Sequence, residues 1–406
     1  MATLKRSVNW KVFSLYGLGN ILGAGIYVLV GDVAAVAGDG LLWSFLLAGI
    51  VASFTAITYG SFATKYPVSA GAAVYTERAF RSPLLSTLIG LSLALTGVVS
   101  ASVLLHGFDR YFQQLIAPTA LGGIIPSSVV IVTMVVIMSL IAFRGIKESA
   151  IIAVILTVIE ASGLLLIIGF AGVKGDVIAS LGKSVGAING AEPVALLLGS
   201  FLAFYAFIGF EDMVNIAEEV TKPKKSIRRG MLIALAGAAL LYILTAISAL
   251  SVLSSEELAT SKAPLASVFQ VASGSSLPII TIVGLFAVTN GILAQIIMSS
   301  RVIYGLAREG WLPASLGRVS TKTHTPTVAT VVSATVVALG ALTLPLVTLA
   351  KITSFALLII FSIVQIAAMR LIAKKQLKLH PAVPFIGLFT NIVIIAVQVL
   401  SWLGIV

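Results

Sequence analysis

The chain has 406 residues, of which 59% are hydrophobic and only 10% charged, and its mean hydropathy is +1.11. A soluble globular domain carries about 25% charged residues, so this composition excludes one and marks a polytopic membrane protein. Cysteine is absent, which excludes a disulfide framework and thiolate chemistry, and the three histidines (His106, His324, His380) are too scattered for a metal motif. The net charge of +11 fits basic loops beside anionic lipid rather than nucleic acid.

Apolar runs of spanning length fall near 12–37, 41–64, 84–108, 127–143, 149–172, 193–217, 230–253, 277–307, 327–344, 346–369 and 382–403, which predicts about eleven transmembrane helices. The first run is too long for a secretory leader and continues into the body of the chain. It holds Gly17, Gly19, Gly23 and Gly25 between Gly17 and Tyr27. Each glycine costs a helix about 1 kcal/mol relative to Ala. In hydrocarbon, unwound backbone is tolerated only where it is buried or lines a cavity. The stretch therefore reads as a broken helix whose free amides and carbonyls bind something small and charged, with close helix packing through small residues as the alternative. A nucleotide fingerprint is excluded because no strand precedes the glycines and no βαβ unit follows.

The linking segments set orientation. With the N-terminus inside, twenty-one of the 26 basic residues fall on the inner side, among them Lys65, Arg78, Arg144, the group from Lys222 to Arg229, Arg308 and Arg370. Arg110, Lys174, Lys183, Lys262 and Lys351 fall outside. This is a strong positive-inside bias, and an odd helix count places the C-terminus outside. A short interfacial helix is expected between Lys65 and Pro83, and a surface helix beginning at Ser254-Ser255-Glu256-Glu257, where capping residues precede acids.

The sixth run repeats the oddity of the first. Phe201 to Phe210 leads through Gly209 into Glu211 and Asp212 while apolar sequence continues. Charges at that depth need a cavity or a partner. The two interrupted runs lie five spans apart, so their topologies are opposite, which is the pattern of a five-plus-five inverted repeat with broken first members meeting at the midplane. Repeat one covers about 10–172, repeat two about 193–370, with an additional helix near 382–403, in a single domain.

Several stretches together carry a family resemblance: Gly23-Ala24-Gly25-Ile26-Tyr27, Tyr66 to Tyr75, Arg144 to Ala150, Phe204 to Glu211 with Ala217 to Lys225, and Ser300 to Pro313. In this order they resemble the amino acid–polyamine–organocation transporter superfamily, although that family more often has twelve helices. The resemblance implies an amino acid substrate. It places the carboxylate on the amides around Gly23, Ala24 and Gly25, and the ammonium on the carbonyls of Ile21, Tyr205 and Ile208, with the Ala206 and Phe207 backbone beside them and the Tyr205 ring as a gate. Free amides at a helix start and free carbonyls at a helix end suit a zwitterion without fixed charges.

Glu160 is the only acid inside the fifth run, and a carboxyl isolated in apolar surroundings favours its neutral form, which suits a proton carrier. Some relatives carry a lysine near this position, so the coupling ion stays open between proton and sodium. Glu211 matches an acidic position shared by several relatives and is the second coupling candidate. Asp212, Glu218 and Glu219 are expected to pair with the basic inner loop; Asp32 and His106 lie toward the outside and are expected to be structural.

The reading is a secondary active amino acid transporter of the cell membrane, with proton symport ahead of exchange without net ion coupling and of a transporter-fold sensor. No metal, cofactor or nucleic-acid motif and no catalytic constellation is present in the sequence, so an enzyme is not expected. Membrane lipid is the expected surround. The apolar run from Phe204 to Phe210 leans toward neutral substrates, while Glu160 and Glu211 leave cationic ones open.

Overall fold

A computed structural model describes residues 8–22, 25–67, 71–143, 147–190, 193–275, 277–308, 310–320 and 325–405. Gly23 and Ala24 of the expected site, and Arg144 to Ile146 of the motif before the fifth span, lie outside the described residues. The first expected span forms two helices, α1 (Trp10–Leu22) and α2 (Ile26–Ala37), and α3 (Leu41–Lys65) forms the second. The short helix expected after Lys65 is α4 (Gly71–Phe80). Next come α5 (Pro83–Ile116), α6 (Ser127–Ala142) and α7 (Lys147–Lys174).

One helix is not anticipated by apolar run length, α8 (Val177–Gly190). It is too short to span and turns Ile178, Leu181, Val185 and Ile188 outward, and Trp43 of α3 donates its indole N–H to the Ser184 carbonyl at 2.7 Å. The sixth span begins as α9 (Pro193–Phe204) and continues as tight 3-10 turns at Tyr205–Phe207 and Glu211–Glu219. The chain then forms α10 (Pro223–Val252), α11 (Ser255–Thr260), α12 (Pro264–Ser273), α13 (Ile279–Arg308), α14 (Thr327–Thr343), α15 (Leu346–Ala373) and α16 (Ala382–Trp402).

Among the described residues, eight helical stretches are long and apolar enough to cross a membrane. One of them, Ile26–Lys65, joins the second half of span one to span two, and the shorter apolar helices Ser127–Ala142 and Thr327–Thr343 supply two further expected spans. The protein is therefore an all-α, polytopic membrane protein.

Proline explains many helix starts. Pro83, Pro193, Pro223 and Pro264 are first helical residues, where a missing N–H costs nothing, and Pro126, Pro326, Pro345 and Pro381 stand just ahead of their helices. Ser82 caps α5 by accepting from the Leu85 N–H. At α11 the expected start is a full capping box: Ser254 and Glu257 exchange hydrogen bonds, and those from the Ser254 backbone and hydroxyl hold the Glu257 carboxyl below its usual range. The surface helix expected there is two helices, and they are not free of the body, since Leu258, Leu265, Val268 and Phe269 are buried against α2 and α7.

Two long unbroken helices, α5 with 34 residues and α13 with 30, pack along one another. The interrupted spans lie in the buried centre beside them, enclosed by α3, α7 and α10. Tyr59, Phe204, Phe210 and Phe361 make edge-on or tilted ring contacts around the second break, with centroids 5.3 to 6.2 Å apart.

Candidate functional site

The site is built from the two breaks, which lie against each other. A Cβ placed on Gly25 would run into the Ala206 backbone. One placed on Gly209 would run into the Asn20 backbone carbonyl, and Gly209 also has φ +118°, which L side chains rarely adopt. Each break thus presses a glycine onto the backbone of the other. No side chain fits at either contact.

Breaking the helices frees carbonyls. Those of Ile21 and Ala206 converge on one donor, the Tyr242 hydroxyl of α10, at 2.6 and 2.9 Å. One O–H serves two acceptors here, at a point wholly buried from solvent. Ile21 and Ala206 were expected at the site; Tyr242 was not. Its signal in the sequence is faint, a single polar-tipped ring in the aliphatic run Leu240-Leu241-Tyr242-Ile243-Leu244.

Tyr205, Ala206, Phe207 and Ile208 are all buried. The Tyr205 carbonyl accepts from the Ile208 N–H at 3.1 Å within its 3-10 turn, so it is less available than expected. The Tyr205 hydroxyl lies 2.8 Å from the Ser100 hydroxyl and 3.1 Å from the Ser100 carbonyl, which ties the second break to α5. Phe207 turns the other way, edge-on to Tyr242 at 5.2 Å and against Gly49 of α3. Ile208 takes an extended conformation between the two 3-10 turns.

Glu160 is fully buried on α7. One carboxylate oxygen accepts from the Asn290 amide of α13 at 3.3 Å, and the other has no partner among the described residues. Tyr27, at the start of α2, donates to the Glu160 backbone carbonyl at 2.6 Å, and Tyr111 of α5 donates to the Tyr27 carbonyl at 2.7 Å. The link from Glu160 to the first break therefore passes through Tyr27. Asn290 went unselected in the sequence, and Tyr27 was named there only as part of the first-span motif, because an amide or a phenol in an apolar run gives no sign of what it faces.

Glu211 and Asp212 are also buried. Glu211 folds back to accept from the Gly209 N–H at 2.9 Å. Asp212 accepts from the Gln295 amide of α13 at 3.0 Å. The expected pairing of Asp212 with the basic loop does not occur, because the turn at Gly209 and the 3-10 winding after it direct this carboxyl into the bundle. The side chains of Glu218 and Glu219 lie outside the described residues. Among the described residues the one ion pair is Arg110 to Asp32, at 3.1 Å, in a cleft of about 410 Å³ on the face opposite the Lys222–Arg229 loop. His106 contacts the Leu344 carbonyl at 3.0 Å, in keeping with a structural role.

The profile of the amino acid permease family matches residues 9–406. The chain belongs to the amino acid permease family. The permease is 30% identical to a branched-chain amino acid permease of Bacillus subtilis, over 100% of this chain and 90% of that protein. It is 29% identical to a methylthioribose transporter of the same organism, over 95% of this chain and 85% of the relative. A cationic amino acid transporter of Arabidopsis thaliana, described as chloroplastic, is 28% identical over 75% of this chain and 56% of its own length. The permease is thus a multi-pass transporter of amino acids and not an enzyme. Its superfamily is the one that its motifs resemble.

Proposed function

We propose that the permease moves neutral, aliphatic amino acids into the cell by proton-coupled symport, alternating the exposure of a central site between the two membrane faces. The observation that carries this reading is the meeting of the Ile21 and Ala206 carbonyls on a single hydroxyl. Two acceptors within reach of one donor suit an ammonium group, which brings three donors and a positive charge. The substrate ammonium takes the place of the Tyr242 hydroxyl. Its carboxylate lies on the amides around Gly23, Ala24 and Gly25, at the start of α2, where the helix dipole favours an anion. Tyr205, Ala206, Phe207 and Ile208 line the other side.

The aromatic and aliphatic surroundings favour an uncharged side chain, and the Bacillus subtilis branched-chain permease supports the same class. Glu160 carries the coupling proton, with Glu211 as the second candidate. The N-terminus and the Lys222–Arg229 loop are cytoplasmic and the C-terminus extracellular, in keeping with the basic-residue bias. Spans one to five and six to ten form the two repeats of one domain, with α16 outside them.

The test is uptake by purified permease in proteoliposomes, across a panel of amino acids, with and without an inward proton gradient. Gradient-driven accumulation of leucine, isoleucine or valine is expected. Exchange alone would replace symport with antiport, and binding without flux would make the protein a sensor.

A further inference from the structure

The strands of chain that enter and leave the two breaks meet on the basic face. Val8, two residues before α1, forms a parallel bridge with Val220. The Val8 carbonyl accepts from the Thr221 N–H at 2.8 Å and from the Thr221 hydroxyl at 3.2 Å. Trp10 continues the contact, with the Arg229 guanidinium 4.1 Å above its ring. Phe13, one turn on, is buried in contact with Gly230 of α10. This clasp joins the start of the first broken helix to the end of the second, so neither can swing away on that face while it holds.

The clasp carries an unusual charge. Lys222, Lys224, Lys225, Arg228 and Arg229 are all exposed within eight residues, and Lys11, also exposed, follows Trp10 on the other strand. None of these six makes an ion pair among the described residues. Glu218 and Glu219 are the nearest acids in the sequence, two against six. Six exposed cations gathered at one point repel one another, weakly in salt, and an anion bound across them relieves that repulsion. The patch sits where the apolar body of α10 begins, beside a half-buried tryptophan, a residue enriched at membrane–water boundaries.

We infer that anionic phospholipid headgroups bind across Lys11 and the Lys222–Arg229 segment, and that they hold the clasp closed over the two broken helices. Headgroup phosphates accept from arginine forks and lysine ammonium groups at once, bridging the two strands. Near a negatively charged leaflet each such residue strengthens attachment roughly fivefold. The lipid therefore sets how often the site opens toward this face, and it does so without touching the substrate.

The absence of cysteine makes the clasp directly measurable. Ser14 is buried on α1 beside Gly230 and becomes accessible only if the clasp opens. Ser14→Cys permease is reconstituted in phosphatidylcholine vesicles with or without phosphatidylglycerol, and the rate of maleimide labelling is followed. Labelling is expected to be about tenfold slower with phosphatidylglycerol, on the scale of one or two basic contacts. Adding Lys224→Gln, Lys225→Gln and Arg228→Gln should give the fast rate in both lipids, whereas Lys224→Arg with Lys225→Arg should keep the slow one. Trp10→Ala should label fast in both. Equal rates for the unaltered loop in the two lipids would overturn the inference, as would a triple glutamine variant that still responds. So would slow labelling in phosphatidylcholine with inorganic phosphate, which would make the ligand a free anion. Because labelling needs no transport, failure here leaves the proposed symport untouched, and failure of symport leaves the clasp untouched.

Discussion

The two breaks do the same topological work with different materials. At the first, α1 stops at Leu22 and a regular helix resumes at Ile26. Its neighbourhood is held by phenols, Tyr27 to Glu160 and Tyr111 to Tyr27. The second never regains α-helical winding before Val220, and it is held by its own side chains: Tyr205 to Ser100, Glu211 to Gly209 and Asp212 to Gln295. The difference suggests a division of labour. A break whose sequence carries no charged side chain is suited to recognise a zwitterion through backbone groups. A break carrying two buried carboxyls and tied to both long helices is suited to transmit a change of state.

The largest effect expected from this contrast is at Gly25. Gly25→Val forces a branched side chain against the Ala206 backbone, which cannot rotate away. Overpacking costs about 1–3 kcal/mol, and at a rigid contact the upper end applies, so substrate affinity of the purified variant should fall about a hundredfold while membrane insertion persists. Near-normal affinity would remove the first break from the site.

Next is the assignment of coupling. Glu160→Gln keeps shape and hydrogen-bonding capacity but fixes a neutral group. It should lose accumulation driven by a proton gradient while substrate binding stays within about threefold, a difference of under 1 kcal/mol. If accumulation survives in Glu160→Gln and is lost in Glu211→Gln, coupling belongs to the second break.

Gly209→Ala tests whether the second break is structural. A residue with a Cβ pays about 1–2 kcal/mol in left-handed backbone, and here it also meets the Asn20 carbonyl. A fall in thermal stability is expected, larger than the loss of substrate affinity in the surviving protein. Weakened binding at unchanged stability would make the two breaks equivalent.

Tyr242→Phe leaves two buried carbonyls without their donor in the empty protein, at about 1–3 kcal/mol. If the substrate ammonium replaces the hydroxyl, the empty state should lose stability and calorimetric affinity should rise several-fold. Weaker binding would mean that Tyr242 assists the substrate rather than standing in for it. The smallest change is expected at Asp32→Asn. Its ion pair with Arg110 is partly exposed, with 20% and 35% of the side chains accessible, and such pairs contribute about 0–1 kcal/mol. The effect on uptake should be under about fivefold and should fade with added salt.

Much of this architecture was legible in the residues. Run length located the spans and the basic-residue bias checked their count, because a helix must satisfy its own backbone in hydrocarbon. The glycines of the first span and the Gly209-Phe210-Glu211-Asp212 step of the sixth marked both breaks. Both signals are local, since conformational cost and desolvation act on a residue and its neighbours in the chain.

What the tertiary structure alone decided is which groups meet. Tyr242 and Ala206 are 36 residues apart, and Tyr242 and Ile21 are 221 apart. Asn290 reaches Glu160 across 130 residues, and Gln295 reaches Asp212 across 83. An amide or phenol in an apolar run has the same local signature whether it faces a carboxyl, a carbonyl or another helix's backbone. Its partner depends on the rotation of each helix about its axis, and that is set by the packing of all the helices together. Asp212 shows the consequence: its sequence neighbours pointed to the basic loop, and the turn at Gly209 sent it inward to Gln295.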